Sequence, residues 1–218
     1  KIHTLVENKL EAKDIHWMDS IGDKKLIQMI RARQMCVCPR LIAHKIMPMI
    51  KHGILSKEYF SIVNSTSKLD SVVDLIKNRS ENGNKKIIFC TFHDEIKLIE
   101  EKLKEKNIKN IGIYTGKLNL ITRQKIIDNQ HDILIMQIQA GCEGLNLQTY
   151  NEIYVVSPHW NPCVEDQAIG RCYRMGQKKE TYVYMFSMKS IDEKLHSMDN
   201  YIQDVQKNKR LLQEELLI

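Results

Sequence analysis

From Lys85 onward, short apolar runs alternate with stretches in which apolar positions recur every third or fourth residue. The runs are Lys86–Cys90 (KIIFC), Ile111–Tyr114 (IGIY), Ile133–Ile138 (ILIMQI), Glu152–Val156 (EIYVV) and Thr181–Met188 (TYVYMFSM). They are rich in β-branched and aromatic side chains, which predicts strands. They also lack a clean apolar–polar alternation, as strands do when helices cover both faces of a parallel sheet. Between them, Ile96, Ile99 and Leu103 mark one helix face, Arg123–Asn129 a second helix, and Pro162–Met175 a third. Ser190 is placed to cap a long last helix. Strand–helix alternation of this kind predicts an α/β fold, a parallel sheet sandwiched by helices. Right-handed crossovers then gather the strand C-terminal loops on one edge, where such folds bind ligands. Those loops are Thr91–His93, Thr115–Leu118, Gln139–Asn146 and Ser157–Asn161.

Before Lys85 the spacing is helical. Leu26, Ile27, Ile30 and Val37 share one face, closed at Pro39. Leu41, Ile42, Ile46 and Met49 predict a second helix, disturbed at Pro48 and stopped at Gly53. Ser67 is placed to cap a third, with Leu69, Val72, Val73 and Ile76 on its apolar face. The polar segment Ser80–Asn84 then breaks the chain before the first strand. The expected division is a helical extension over 1–66, the α/β lobe over 67–190 and a C-terminal helix over 191–218.

Composition changes this picture little. The chain has 218 residues, 28% of them charged, and a formal net charge of +6. That mild basic excess is compatible with a polyanionic partner and does not identify one. No apolar stretch approaches the roughly 20 residues of a membrane-spanning helix. The first residue is Lys, which is expected of an excerpt from a longer protein. Cysteines at 36, 38, 90, 142, 163 and 172 follow no zinc-ligand spacing and read as reduced thiols, several of them buried. No metal site is expected within the chain.

Three segments carry candidate chemistry. On a helix running to Met175, Gln167, Arg171 and Arg174 stand at i, i+4 and i+7, within an arc of roughly 60°. Two guanidiniums and an amide on one stripe suit phosphate oxygens, with Gly170 leaving room beside Arg171; the plain alternative is a solvated basic stripe with carboxylate partners. The loop AGCEGLNL (Ala140–Leu147) carries two glycines after a strand and so can turn N–H groups toward an anion. An ordinary strand–turn–helix connection explains it equally well. In SPHWNP (Ser157–Pro162) two prolines hold Trp160 on a stiff loop, where it either meets nucleic acid or packs its loop down. His93 and His159 have no metal-spaced partners, and Cys172 reads as core-facing rather than nucleophilic.

Taken in order, KIIFCTF, YTGKLNLITRQK, ILIMQIQAGCEGLNLQ, VVSPHWNPCVEDQAIGRCYRMGQ and SIDEKL resemble the motifs of the second RecA-like lobe of Swi/Snf-type ATPases, in helicase superfamily two. RARQMCVCPRL and STSKLDSVVDLI resemble that family's segments leading into the lobe, so the resemblance covers nearly the whole chain. It implies a RecA-like sheet with an N-terminal helical extension and a long C-terminal helix. It also implies a motor working on duplex DNA, with ATP and Mg2+ held mainly by an N-terminal RecA-like lobe of the same polypeptide. Arg171 and Arg174 would then be the arginine fingers, Gln167, Gly144 and Asn146 would face ATP, and Thr91, Gly116, Arg123, Gly141 and Trp160 would face DNA. No GK[ST] phosphate loop or DExH box occurs in the sequence, which predicts that this chain alone is inactive.

Two departures from the family pattern, SPHWNP without the usual aspartate and QIQAGCEG without the usual AGG, resemble a divergent branch rather than chromatin-remodeller cores. The resemblance places the protein inside the cell, in a nucleus or a viral replication or transcription compartment. Richness in Lys, Ile and Asn points to an AT-rich genome such as that of a large DNA virus. The terminal helix would be either a brace on the other lobe or a cap on this lobe's own core. The rival readings are a stand-alone nucleic-acid-binding module of the same fold without ATPase activity, an RNA-directed helicase, and a purely structural domain.

Overall fold

The computed structural model describes residues 21–141, 144–189 and 197–216. The chain divides into two compact units, at Ser67/Lys68. In the first, α1 (Ile21–Val37) is followed by a 3₁₀ turn (Pro39–Ile42), α2 (Ala43–Lys51) and α3 (Tyr59–Val63). Ile42, Ile46, Ile50, Leu55 and Val63 form its core, with Met35, Met47 and Tyr59 packed around them. Pro48 lies inside α2, and Gly53 adopts φ +70° just beyond its end, as a glycine after a helix C-terminus does. Helix α3 was not predicted, because its five residues are too few to show a period.

The second unit is the α/β lobe. It contains α4 (Ser67–Asn78), β1 (Lys86–Cys90), α5 (His93–Glu105), β2 (Ile111–Tyr114), α6 (Leu120–Asp128), β3 (Ile133–Gln137) and a single turn α7 (Ile138–Gly141). Strand β4 (Glu152–Val155), α8 (Pro162–Cys172), β5 (Tyr182–Met185) and α9 (Met198–Leu216) complete it. The sheet has five strands in the order β2-β3-β1-β4-β5, and every pairing is parallel. Register explains why the strands read as unbroken apolar runs. Ile87 pairs with Leu134 and Ile153, while the next rung joins Ile88 to Ile135 and Tyr154, and all six are fully buried. Successive side chains point to opposite faces, so both faces are covered. One face belongs to a core with Phe89, Met136, Val155, Ala168 and Cys172. At 25 cal/mol per Å², burial of large apolar residues on two faces dominates the stability of such a lobe.

Charged contacts tie the lobe's helices together. Lys102 reaches Asp70 at 2.6 Å and Lys106 reaches Asp74 at 3.0 Å, joining α5 to α4. Lys68 donates to Asp199 at 2.6 Å in a fully buried pair between α4 and α9. Ile202 of α9 is also fully buried, and Arg210 makes a two-pronged ion pair with Asp166 of α8. The first part of α9 therefore packs on this lobe's own core, while Leu211 and Leu212 stay exposed. Ser190, the expected cap, lies outside the described residues. No described helix is long and apolar enough to cross a membrane.

Among the boundaries that differ from expectation, two bear on the candidate site. Ile138 opens the single turn α7 instead of ending β3, because the chain must leave the sheet to place Ala140 and Gly141 against it. Helix α8 ends at Cys172 and not at Met175, since Tyr173 takes φ −93°, ψ 86°. The stripe predicted from three helical positions therefore holds only for Gln167 and Arg171. Arg174 stands on a turn beyond the helix.

Candidate functional site

Asn161 caps α8: its side chain accepts from the Cys163 N–H, and Pro162 follows where a missing N–H costs nothing. At the other end of α8, three orphan carbonyls find donors. Tyr173 N–H donates to Ile169 O at 2.8 Å, Leu147 N–H to Arg171 O at 3.2 Å, and Gln177 Nε2 to Cys172 O at 3.1 Å. Satisfying these groups is what permits a helix to stop without a C-terminal glycine. Gln148 and Gln177 then cross-link the turn to the loop after α7. Gln148 Nε2 donates to Met175 O at 2.7 Å, and Gln177 Nε2 donates back to Gln148 O at 2.8 Å. Gly176 adopts φ +101°, a conformation open to glycine, and a side chain there would stand 3.4 Å from the Gln148 amide nitrogen.

The result is a corner with two arginines displayed on fixed backbone. Arg171 is half-buried on α8, with Gln167 exposed one turn earlier. Arg174 is exposed, and among the described residues its guanidinium makes no hydrogen bond or ion pair. A side chain added at Gly170 would meet nothing within 4 Å, so the helix surface beside Arg171 is open. Gly144 (φ +77°) and Asn146 belong to the loop pinned against this corner, and Asn146 Oδ1 accepts from the Gln148 N–H at 3.2 Å. The structure thus joins the backbone around Arg171 and Arg174 to the loop that follows Gly144 and Asn146, through Leu147 and Gln148. Exposed guanidinium beside satisfied backbone is suited to a multiply charged oxyanion. Cys172 is no nucleophile: burial pushes its thiol up to about 12. Gln148 and Gln177 were missed as site residues, and only their place at the ends of two glycine-bearing motifs could have flagged them.

The DNA-facing candidates lie elsewhere, after the C-terminal ends of β1 to β4. Thr91 and Phe92 both donate backbone N–H groups to the buried Glu95 carboxylate at 2.9 Å, which fixes the turn into α5. Arg123 lies 5.6 Å over the Tyr114 ring and donates to the carbonyl oxygens of Leu118 (2.9 Å) and Gly116, so it shapes the loop that carries Gly116 and Lys117. His93 is kept below the usual imidazole range by burial and by the nearby Lys117 charge. Gly141 is buried, and a Cβ there would come 2.8 Å from Phe89. It seats α7 on β1. Trp160 is half-buried, meeting Tyr201 edge-on at 6.0 Å, while its carbonyl accepts from Lys209 at 2.9 Å. Its loop is held from behind by Glu165, which accepts the His159 N–H, and by Gln206, which donates to His159 O. Among the described residues no group of His, Cys, Asp and Glu could hold a metal ion.

Residues 67–176, from the start of α4 to the glycine of the arginine turn, match the family model described as "Helicase conserved C-terminal domain". The chain belongs to this family. Its relatives include Swi/Snf-type ATPases. It is 32% identical over 186 residues to the "Probable global transactivator" of Orgyia pseudotsugata multicapsid polyhedrosis virus, an alignment covering 82% of this chain and 35% of that protein. It is 34% identical over 145 residues to "DNA repair protein RAD5" of Debaryomyces hansenii, covering 60% of this chain and 12% of that one. The chain therefore spans about a third or less of the length of the relatives it matches. The solved C-terminal part of the Fun30 ATPase domain superposes with a TM-score of 0.58 at 20% identity, over 94% of this chain and 64% of that one. That likeness concerns the fold, and the helicase lobe is RecA-like.

Proposed function

We propose that this helicase lobe is the second half of a DNA-dependent ATPase motor of the Swi/Snf type, completed by an N-terminal RecA-like lobe of the same polypeptide. The observation that carries the reading is Arg174. It is an exposed guanidinium with no partner among the described residues, held on a turn whose backbone is pinned on both sides. A long charged side chain supported in this way, and otherwise unused, is suited to a ligand brought by another surface.

In this reading Arg171 and Arg174 donate to the γ-phosphoryl oxygens of ATP and neutralise charge that grows during transfer, while Gln167 and the Gly144–Asn146 loop border the nucleotide. Mg2+ would balance the phosphate charge when bound, held mainly by the other lobe. Thr91, Gly116, Trp160 and the Arg123-supported loop lie along the edge that would meet one strand of duplex DNA, through backbone contacts with little base preference. The corresponding place of action is a nucleus or a viral replication or transcription compartment.

The test is the ATPase of the whole polypeptide with duplex DNA. Arg171→Ala and Arg174→Ala should each lower kcat by ~10³-fold with little change in folding. DNA-stimulated turnover that survives both substitutions would sink the reading. The chain by itself should hydrolyse no ATP and bind DNA weakly at physiological salt. Tight, salt-resistant binding by the chain alone would instead favour a nucleic-acid-binding module of the same fold.

A further inference from the structure

We infer that Gln148 is a positioning residue for Arg174, a role that rests on the reading of Arg174 as a phosphate donor. The turn 173–177 has little packing of its own. Tyr173 and Met175 are 69% and 97% exposed, and Arg174 is exposed too, so apolar burial does not fix its shape. Hydrogen bonds must therefore do so. Within the turn, Tyr173 N–H closes on Ile169 O at 2.8 Å and Gln177 N–H on Arg174 O at 2.9 Å. From outside it, one side chain reaches the carbonyl next to Arg174: Gln148 Nε2, donating to Met175 O at 2.7 Å.

Gln148 is well supported for this task. Leu147 beside it is fully buried and donates its N–H to Arg171 O at 3.2 Å. The Gln148 N–H is held by Asn146 Oδ1 at 3.2 Å, and its carbonyl accepts from Gln177 Nε2 at 2.8 Å. A continuous path thus runs from the core through Leu147 and Gln148 to the peptide that follows Arg174. Leu147 sets the carbonyl of one arginine and Gln148 the carbonyl next to the other, so a single two-residue step of the loop fixes the spacing between the two guanidinium bases. Without the Gln148 donor, Arg171 keeps its helix while the peptide that follows Arg174 loses its side-chain anchor.

Gln148→Met tests this in the whole polypeptide, because Met fills the same volume and cannot donate. The expected result is a kcat for DNA-stimulated ATP hydrolysis about 10-fold lower, with KM for ATP within about twofold, because placement matters most in the transition state. In an Arg174→Ala background the same substitution should have no further effect. A Gln148→Met loss that persists in full beside Arg174→Ala overturns the proposal, whatever it does to thermal melting, and so does wild-type activity of Gln148→Met alone. If Arg174→Ala itself leaves kcat unchanged, the finger reading fails instead. The two failures are therefore distinguishable.

Discussion

Arg79 and Arg174 show what a guanidinium does in two parts of one lobe. Arg79 donates through Nε and a terminal nitrogen to Glu152 Oε1, at 3.1 and 2.8 Å, and lies over the rings of Tyr182 and Tyr184 at 5.0 and 5.4 Å. Asn82, Asn84 and the Tyr154 hydroxyl donate to the same carboxylate, and Lys86 stands 3.5 Å from it. Glu152 is wholly buried, at the start of β4. Arg174 stands on a hydrogen-bonded turn, and among the described residues its guanidinium makes no hydrogen bond or ion pair. Charges that are fully paired at one end of the sheet hold the fold, while charge left available on a braced turn is what the lobe can offer to a partner.

Removing the filled centre should produce the largest effect. Glu152→Ala strands Arg79, two asparagines and a buried tyrosine hydroxyl, and should cost about 3–5 kcal/mol in denaturant unfolding. Arg174→Ala in the same assay should stay within ~0.5 kcal/mol of the parent. Equal stability losses at the two arginine sites would break the comparison.

Acid unfolding sharpens it. Burial alone would raise the Glu152 carboxyl, but donation from Arg79, Asn84, Tyr154 and Asn82 outweighs that and holds it at about 2, against an ordinary 4.5. Its folded value lies below its unfolded one, so its stabilisation is complete above 4.5 and drains away as pH falls toward about 2. Roughly 3 kcal/mol should disappear over that window. The difference in unfolding free energy between the parent and Glu152→Gln, followed from pH 6 downward, should shrink by that amount, and a constant difference would remove the assignment. Glu165 has the opposite sign: burial raises it, so it destabilises increasingly as pH climbs through its folded value.

Much of this arrangement was legible in the sequence and some was not, for physical reasons. The runs at 86–90 and 111–114 became strands with the same ends, because burial on both faces of a parallel sheet writes itself as an unbroken apolar run. Gln167 and Arg171 were legible as neighbours on one helix face, since spacing carries that, whereas Arg174 leaves the face beyond Cys172. The end of α8 was hidden. Local propensity continues past Cys172, and what stops the helix is donation from Leu147 and Gln177, groups that only the fold brings near. Gly141 shows a related ambiguity: a glycine packed against Phe89 looks, in sequence, like one wanted by a ligand. Glu152 was read simply as the first residue of a strand, and nothing local announces the donors that converge on it.

A glycine at the arginine corner tests the same distinction at smaller scale. Gly176→Ala forces an L-residue to φ +101° and places a methyl 3.4 Å from the Gln148 amide. Its stability cost should be about 1–2 kcal/mol, below that of Glu152→Ala, yet its loss of DNA-stimulated ATPase in the whole polypeptide should be the greater consequence, at about 10-fold or more.

The smallest effect is the control. Lys97 and Asp94 form an ion pair at 3.3 Å on α5 with both side chains about 70% exposed. Lys97→Ala should change unfolding by less than ~0.5 kcal/mol, since water and salt screen the pair in both states. A loss as large as that of Glu152→Ala would mean that pairing alone governs stability here. The expected near-silence would show instead that burial gives the Arg79–Glu152 pair its weight, and that an exposed Arg174, unpaired among the described residues, costs the fold almost nothing.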